Sequence, residues 1–172
     1  MSLKIRPASK EDIPLIHWFI RALASYERLE DEVVATPDLL DRNLFGANSY
    51  AKTLIAEWED TPAGFALYFY NFSTFLGQPG IYLEDLFVKP DFRGLGIGKA
   101  LLKELANMAV EQGCGRLDWA VLDWNEPAIQ FYKKLGSETQ HEWTGFRLSG
   151  EALRTFAVSP HIAPVGSGLT GK

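Results

Sequence analysis

A single cysteine, Cys114, stands among 172 residues, so no internal disulfide and no cysteine-rich metal site can form. Histidine is nearly as scarce. His17, His141 and His161 share no metal-ligand spacing, and no metal is expected. No stretch reaches the ~18 consecutive apolar residues of a membrane span, and the first residues carry no long apolar run. These features predict a reducing cytoplasm as the compartment, and no membrane partner. Positive charge is also in short supply. Seventeen Lys and Arg stand against 22 Asp and Glu, a formal charge of −5 that disfavours nucleic acid and suits a cationic partner.

What the chain does have is core-forming material, at 47% hydrophobic and 13% aromatic. That argues against disorder and for one folded domain. Hydrophobic periodicity predicts alternating elements without repeats. Leu3 to Arg6 reads as a first strand. A helix starts near Ser9 and Asp12 in a capping-box arrangement, with Ile13, Ile16, Ile20 and Leu23 on one face. Thr36-Pro37 opens a short second helix. Residues 52–58 and 63–71 read as strands around a turn at Asp60-Thr61-Pro62. A fourth strand holds Ile81 to Val88, and a long helix follows with Leu101, Leu105, Met108 and Ala109 on one face. Leu117 to Leu122 is a fifth strand, and Asn125 caps a helix ending at Gly136. Two more short strands and a small helix near Glu151 to Phe156 complete an α/β domain over residues 1–157. Residues 158–172, with Gly166-Ser167-Gly168, form an aperiodic tail.

The segment Phe92-Arg93-Gly94-Leu95-Gly96-Ile97-Gly98-Lys99 lies between that fourth strand and the long helix. Glycines there leave backbone N–H groups free to converge on an anion, and the helix N-terminus adds roughly half a positive charge. The spacing is not a Walker loop, because Ala100 follows Lys99 where a Ser or Thr is required. Nor is it the dinucleotide fingerprint, because Gly94, Gly96 and Gly98 run one residue short. What remains is R-x-x-G-x-G from Arg93, Gly96 and Gly98, which by itself fits equally a glycine turn with no ligand.

With Leu86-Phe87-Val88 before it and the long helix after it, Arg93 to Gly98 resembles the acetyl-CoA loop of the GNAT N-acetyltransferases. Tyr26-Glu27, Tyr82-Leu83-Glu84-Asp85, Trp124-Asn125-Glu126-Pro127 and Phe131-Tyr132-Lys133 stand in the order and spacing of one subgroup. That subgroup comprises the spermidine/spermine and thialysine acetyltransferases. The resemblance spans roughly residues 3–157, the scale of one domain. It implies a mixed, mostly antiparallel sheet of about seven strands flanked by helices and splayed after the fourth strand. It also implies acetyl-CoA as co-substrate and a homodimer.

The resemblance further implies that backbone amides of Leu86, Phe87 and Val88 pair with the pantetheine arm. Arg93, Gly94, Leu95, Gly96, Ile97, Gly98 and Lys99 would cover the pyrophosphate, with Asn125 and Ala128 on the far side of the arm. Arg93 and Lys99 as solvated charges remain an alternative. Glu84 matches the carboxylate that takes the amine proton through water. From the residues alone, Glu84 interrupts an apolar strand, where an unpaired charge is costly. Asp85 follows it, and repulsion between the two raises one pKa if a bulge turns both to the same cleft. The other reading makes Asp85 a solvent-facing residue and Glu84 a paired structural acid. Tyr132 shares an inward helix face with Ala128, Phe131 and Leu135 and matches the tyrosine that protonates the thiolate; unaided, it would read as a core residue.

Tyr26 and Glu27 match a pair that holds a substrate ammonium, while Glu30, Asp31 and Glu32 read as a solvated face. Glu27 is expected at the distal end of the acceptor, because an acid beside the reacting nitrogen would raise its pKa. Phe75 replaces a tryptophan of the polyamine enzymes, and Asp118 and Trp119 replace substrate-contacting residues. These departures widen the expected acceptor from polyamines to diamines and lysine-like amines such as thialysine. Two other readings are an acetyl-CoA-binding sensor or interaction module without turnover, and a protein or peptide N-acetyltransferase. The presence of Glu84 and Tyr132 favours an enzyme over the module without turnover.

Overall fold

A computed structural model describes residues 2–159 of the chain. The tail expected over 158–172 lies, from position 160 onward, outside the described residues, as does His161. The chain divides into two units, Met1–Trp124 and Asn125–Lys172.

The first unit is a five-stranded sheet in sequential order, β1 (Leu3–Pro7), β2 (Lys52–Trp58), β3 (Thr61–Ser73), β4 (Gln78–Val88) and β5 (Leu117–Trp119). The first three pairings are antiparallel and β4–β5 is parallel. The hairpin between β2 and β3 turns at Glu59-Asp60, both at positive φ (48° and 63°), the conformation that matches strand twist in a two-residue loop. The turn therefore falls one residue earlier than the expected Asp60-Thr61-Pro62, and Thr61 and Pro62 already belong to the strand. Residues 63–68 of β3 are all buried, because both faces of the sheet are covered there.

One face is covered by α1 (Ile13–Glu27), which buries Ile13, Ile16, Phe19 and Ala24. Ile20 and Leu23, expected on the inner face, are partly buried against the core, and Phe19 is fully buried beside them with its ring stacked on Phe65 at 5.0 Å and 5°. Ile16, Phe19, Ile55, Phe65, Leu67 and Phe87 form one core cluster. The start of α1 is held by Arg6, which donates to both carboxylate oxygens of Asp12 (2.7 and 2.8 Å) and to Glu57 (2.8 Å). Asp12 also closes the expected capping box, accepting from the Ser9 backbone N–H at 2.8 Å. Helix α2 is a single turn, Pro37–Leu40, with Thr36 accepting from the Leu39 N–H at 3.3 Å. It runs on into a π-helical turn over Asp41–Phe45.

The other face carries α3 (Ile97–Glu111), which buries Ile97, Leu101, Leu102, Leu105 and Ala109. Gly64 makes its approach possible. A Cβ there would stand 2.8 Å from the Phe87 carbonyl and 3.5 Å from the Ile97 side chain.

In the second unit, α4 (Glu126–Lys134) begins at Asn125, which is 6% exposed and accepts from the Ala128 N–H at 3.4 Å. It ends before Gly136 at φ 86°. Helix α5 (Gly150–Ala157) stands where the sequence predicts a small helix. The sheet has five strands where about seven are expected, since residues 137–149 contain no strand. The apolar residues Trp143, Phe146 and Leu148 of that stretch are exposed.

Candidate active site

The acids expected to do proton chemistry lie at an irregularity in β4. Leu83 pairs with Tyr68 and Asp85 pairs with Leu67, so Glu84 is an extra residue with no partner opposite it. This bulge re-aims the strand at the position where β5 stops, since β5 reaches only as far as Leu83 opposite Trp119. From Glu84 to Val88, β4 pairs with β3 alone among the described residues. The edge that would carry a fifth-strand ladder is left open beside Leu86, Phe87 and Val88. This is the splay expected after the fourth strand.

Directly opposed residues of an antiparallel pair share a face, so Asp85 faces the same side as Leu67 and Phe87, toward α1. Asp85 is half-buried and Glu84 exposed. Burial first, then the charges of Glu84 and Glu27, push the Asp85 carboxyl up to about 6. Glu27, on the last turn of α1, is itself raised by burial. The Tyr82 phenol is raised by burial and by Glu84 and Asp118. The structure thus gathers Glu27, Glu84 and Asp85 into one acidic cluster, and the perturbed member is Asp85. Asp118 is otherwise engaged, accepting from Arg116 at 2.8 Å and from Asn71 at 3.2 Å. Trp119 is the last residue of β5, and Phe75 is fully out in solvent at the β3–β4 hairpin tip.

The glycine segment follows β4 through a tight turn at Pro90–Phe92. Gly94 and Gly96 sit at φ 79° and 83°, where a side chain would be strained although a Cβ would meet nothing within 4 Å. Gly96 is the residue before α3, and no side chain caps that helix. Among the described residues its first N–H groups thus have no side-chain acceptor, as a helix start suited to an anion requires. Leu95 and Lys99 are exposed, Gly98 is half-buried, and Ile97 points into the core.

Arg93 turns the other way. Its guanidinium lies 4.8 Å from the Tyr26 ring centroid and 5.7 Å from that of Phe87, and it donates to the Val88 carbonyl at 3.1 Å. Tyr26 in turn lies 6.3 Å from Trp124, and Arg28 covers that indole at 5.6 Å. Trp124 opens the Trp124-Asn125-Glu126-Pro127 segment, whereas Arg28 carries no motif and ends α1 in left-handed backbone (φ 64°, ψ 34°). His17 is occupied structurally, with Nε2 3.1 Å from the Ala35 carbonyl.

In the second unit, Asn125 caps α4, and Ala128 receives that cap. Tyr132 is half-buried on α4, its ring 5.3 Å from Phe131.

The model of the acetyltransferase (GNAT) family matches residues 15–137. The chain belongs to the GNAT acetyltransferase family. The porcine (Sus scrofa) thialysine N-epsilon-acetyltransferase is 40% identical over 91% of this chain and 98% of its own length. The Arabidopsis thaliana L-ornithine N5-acetyltransferase NATA1 is 32% identical over 90% of this chain and 87% of its own. Among solved structures, an integron cassette protein from the V. cholerae mobile metagenome superposes with a TM-score of 0.78 at 32% identity, covering 92% of this chain and 99% of that one.

The GNAT chain is an acetyl-CoA-dependent N-acetyltransferase. The GNAT sheet is mixed, mostly antiparallel and not closed.

Proposed function

We propose that this enzyme acetylates a primary amine of a small cationic acceptor, a lysine-like amino acid, a diamine or a polyamine. The observation that carries the reading is the cluster of Glu27, Glu84 and Asp85 beside the open edge of β4. Three neighbouring carboxylates attract an ammonium, and burial raises Asp85 and Glu27 among them so that a proton acceptor is at hand. The similarity to thialysine and ornithine acetyltransferases supports the same class of acceptor.

The acceptor reaches the site as an ammonium, neutral in only about one molecule in 10³ at pH 7. Deprotonation costs roughly 4–5 kcal/mol at that pH. The Glu84–Asp85 pair takes this proton. Exposed Glu84 passes it through water, and Asp85, titrating at about 6, has the pKa suited to a base at neutral pH. Glu27 holds the distal ammonium. The neutral amine attacks the thioester carbon, the C–S bond breaks as Tyr132 protonates the departing thiolate, and the second proton lost by the acetylated nitrogen returns through water to the Tyr132 phenolate. A phenol near ~10 is a weaker acid than a thiol near ~8.5, so this transfer works through a hydrogen bond to sulfur as its charge builds. Leu86, Phe87 and Val88 bind the arm of acetyl-CoA, the segment Gly94 to Lys99 its pyrophosphate, and Asn125 and Ala128 the arm's far side. Asp118 and Trp119 border the acceptor, and Tyr26 lines its distal end. The working unit is a cytoplasmic homodimer, tested by light scattering.

The deciding experiment follows coenzyme A release with thialysine, lysine, ornithine, putrescine, spermidine and a peptide amine. Turnover of a small amine is expected, with kcat about 10²-fold lower in Tyr132→Phe and at least about tenfold lower in Glu84→Gln. Tight acetyl-CoA binding with no turnover of any amine would leave a cofactor-binding module instead.

A further inference from the structure

Arg28 stands in an acidic neighbourhood. Glu27 precedes it, Glu30, Asp31 and Glu32 follow it, and the charge of Glu27 acts on Asp85. Yet among the described residues Arg28 joins no ion pair. Its guanidinium rests on the Trp124 ring at 5.6 Å. An arginine stacked on an indole keeps its planar fork of donors available at the edge.

The backbone places it there deliberately. Arg28 ends α1 in the left-handed region (φ 64°, ψ 34°), with Leu29 N–H donating to the Ala24 carbonyl at 2.8 Å, a closure glycine ordinarily provides. The left-handed position sets a cation one residue beyond Glu27, whose charge is felt at Asp85.

We propose that Glu27 and Arg28 form a receptor for the zwitterionic end of an amino acid, Glu27 taking the α-ammonium and Arg28 the α-carboxylate. The inference rests on the proposed amine acetylation and narrows its acceptor. A guanidinium matches a carboxylate in a two-pronged hydrogen bond, and it repels the second ammonium of a diamine or polyamine. The site therefore selects basic amino acids over amines lacking a carboxylate.

The test compares thialysine with bis(2-aminoethyl) sulfide, the same molecule without its carboxylate. The wild-type kcat/KM is expected to favour thialysine by about tenfold or more. Arg28→Gln raises the KM for thialysine about tenfold, leaves the KM for the sulfide unchanged or lower, and keeps kcat within about twofold. Arg28→Lys recovers part of the loss. Arg28→Gly, which suits the backbone at this position, repeats the Gln result, and an unchanged acetyl-CoA dissociation constant confirms the fold of each variant. Equal losses on both substrates, no loss on either, or a wild-type preference for the sulfide overturns the receptor while amine acetylation stands. Failure of the wild type to acetylate either amine, with acetyl-CoA still bound, overturns both.

Discussion

Asp85 combines a cost and a use in one side chain. Its carboxyl titrates at about 6 in the folded protein and near ~3.9 in the unfolded chain. The native state thus holds the proton more tightly. The carboxyl adds no penalty below the unfolded value, and the penalty for its charge grows as pH rises, becoming complete above about 6. Asp85→Asn is expected to stabilise the protein by about 1–2 kcal/mol at pH 8 and by little at pH 4, read by thermal melts at both values. The same variant loses kcat, and the acid limb of kcat/KM near 6 flattens. That limb is expected to follow Asp85 as burial and its neighbours' charges raise it. The sequence marks Glu84 and Asp85 as a pair. It does not say which one is perturbed, because that depends on the bulge register and on Glu27 arriving from α1.

At the scale of the element, the glycine segment and the helix behind it are almost wholly legible. The apolar spacing of Leu101, Leu105 and Ala109 survives into the buried face of α3, since a helix of fifteen residues presents the same stripe wherever it packs. Gly96→Ala places a side chain at φ 83° and is expected to cost about 1 kcal/mol of stability while raising the KM for acetyl-CoA. Gly64→Ala costs more stability, about 2 kcal/mol or above, because its Cβ meets the Phe87 backbone at 2.8 Å. Denaturant melts order the two, and acetyl-CoA titration separates them. The late strands are the element-level miss. A short apolar run such as that around Trp143 and Phe146 has no periodicity long enough to distinguish strand from loop.

The whole molecule carries a formal charge of −5 and gathers acids where α1 ends against β4. The proposed cationic acceptor would be drawn by that field, which salt screens over about 8 Å at physiological strength. The KM for the acceptor is expected to rise several-fold between about 0.05 and 0.5 M salt while kcat holds, measured by coenzyme A release. A flat KM would mean that contact, and not field, selects the acceptor. The core answers to a different lever. Phe19 stacks on Phe65 and meets Phe87 edge-on at 6.2 Å, so Phe19→Ala is expected to cost about 3–5 kcal/mol in denaturant unfolding.

What the sequence determined by itself are the local features: the helix stripes, the caps at Thr36 and Asn125, the glycine segment and the acidic dipeptide in an apolar strand. Each depends on residues within a few positions of one another, and nearest-neighbour sterics and hydrogen bonding settle them. Only tertiary structure decided that β5 stops at Trp119 and leaves the β4 edge open, that Glu84 is the bulged residue, and that Arg93 lies on Tyr26 instead of over the glycines. These are contacts between segments tens of residues apart. Register and side-chain competition set them, and neither is written in any single stretch of the chain.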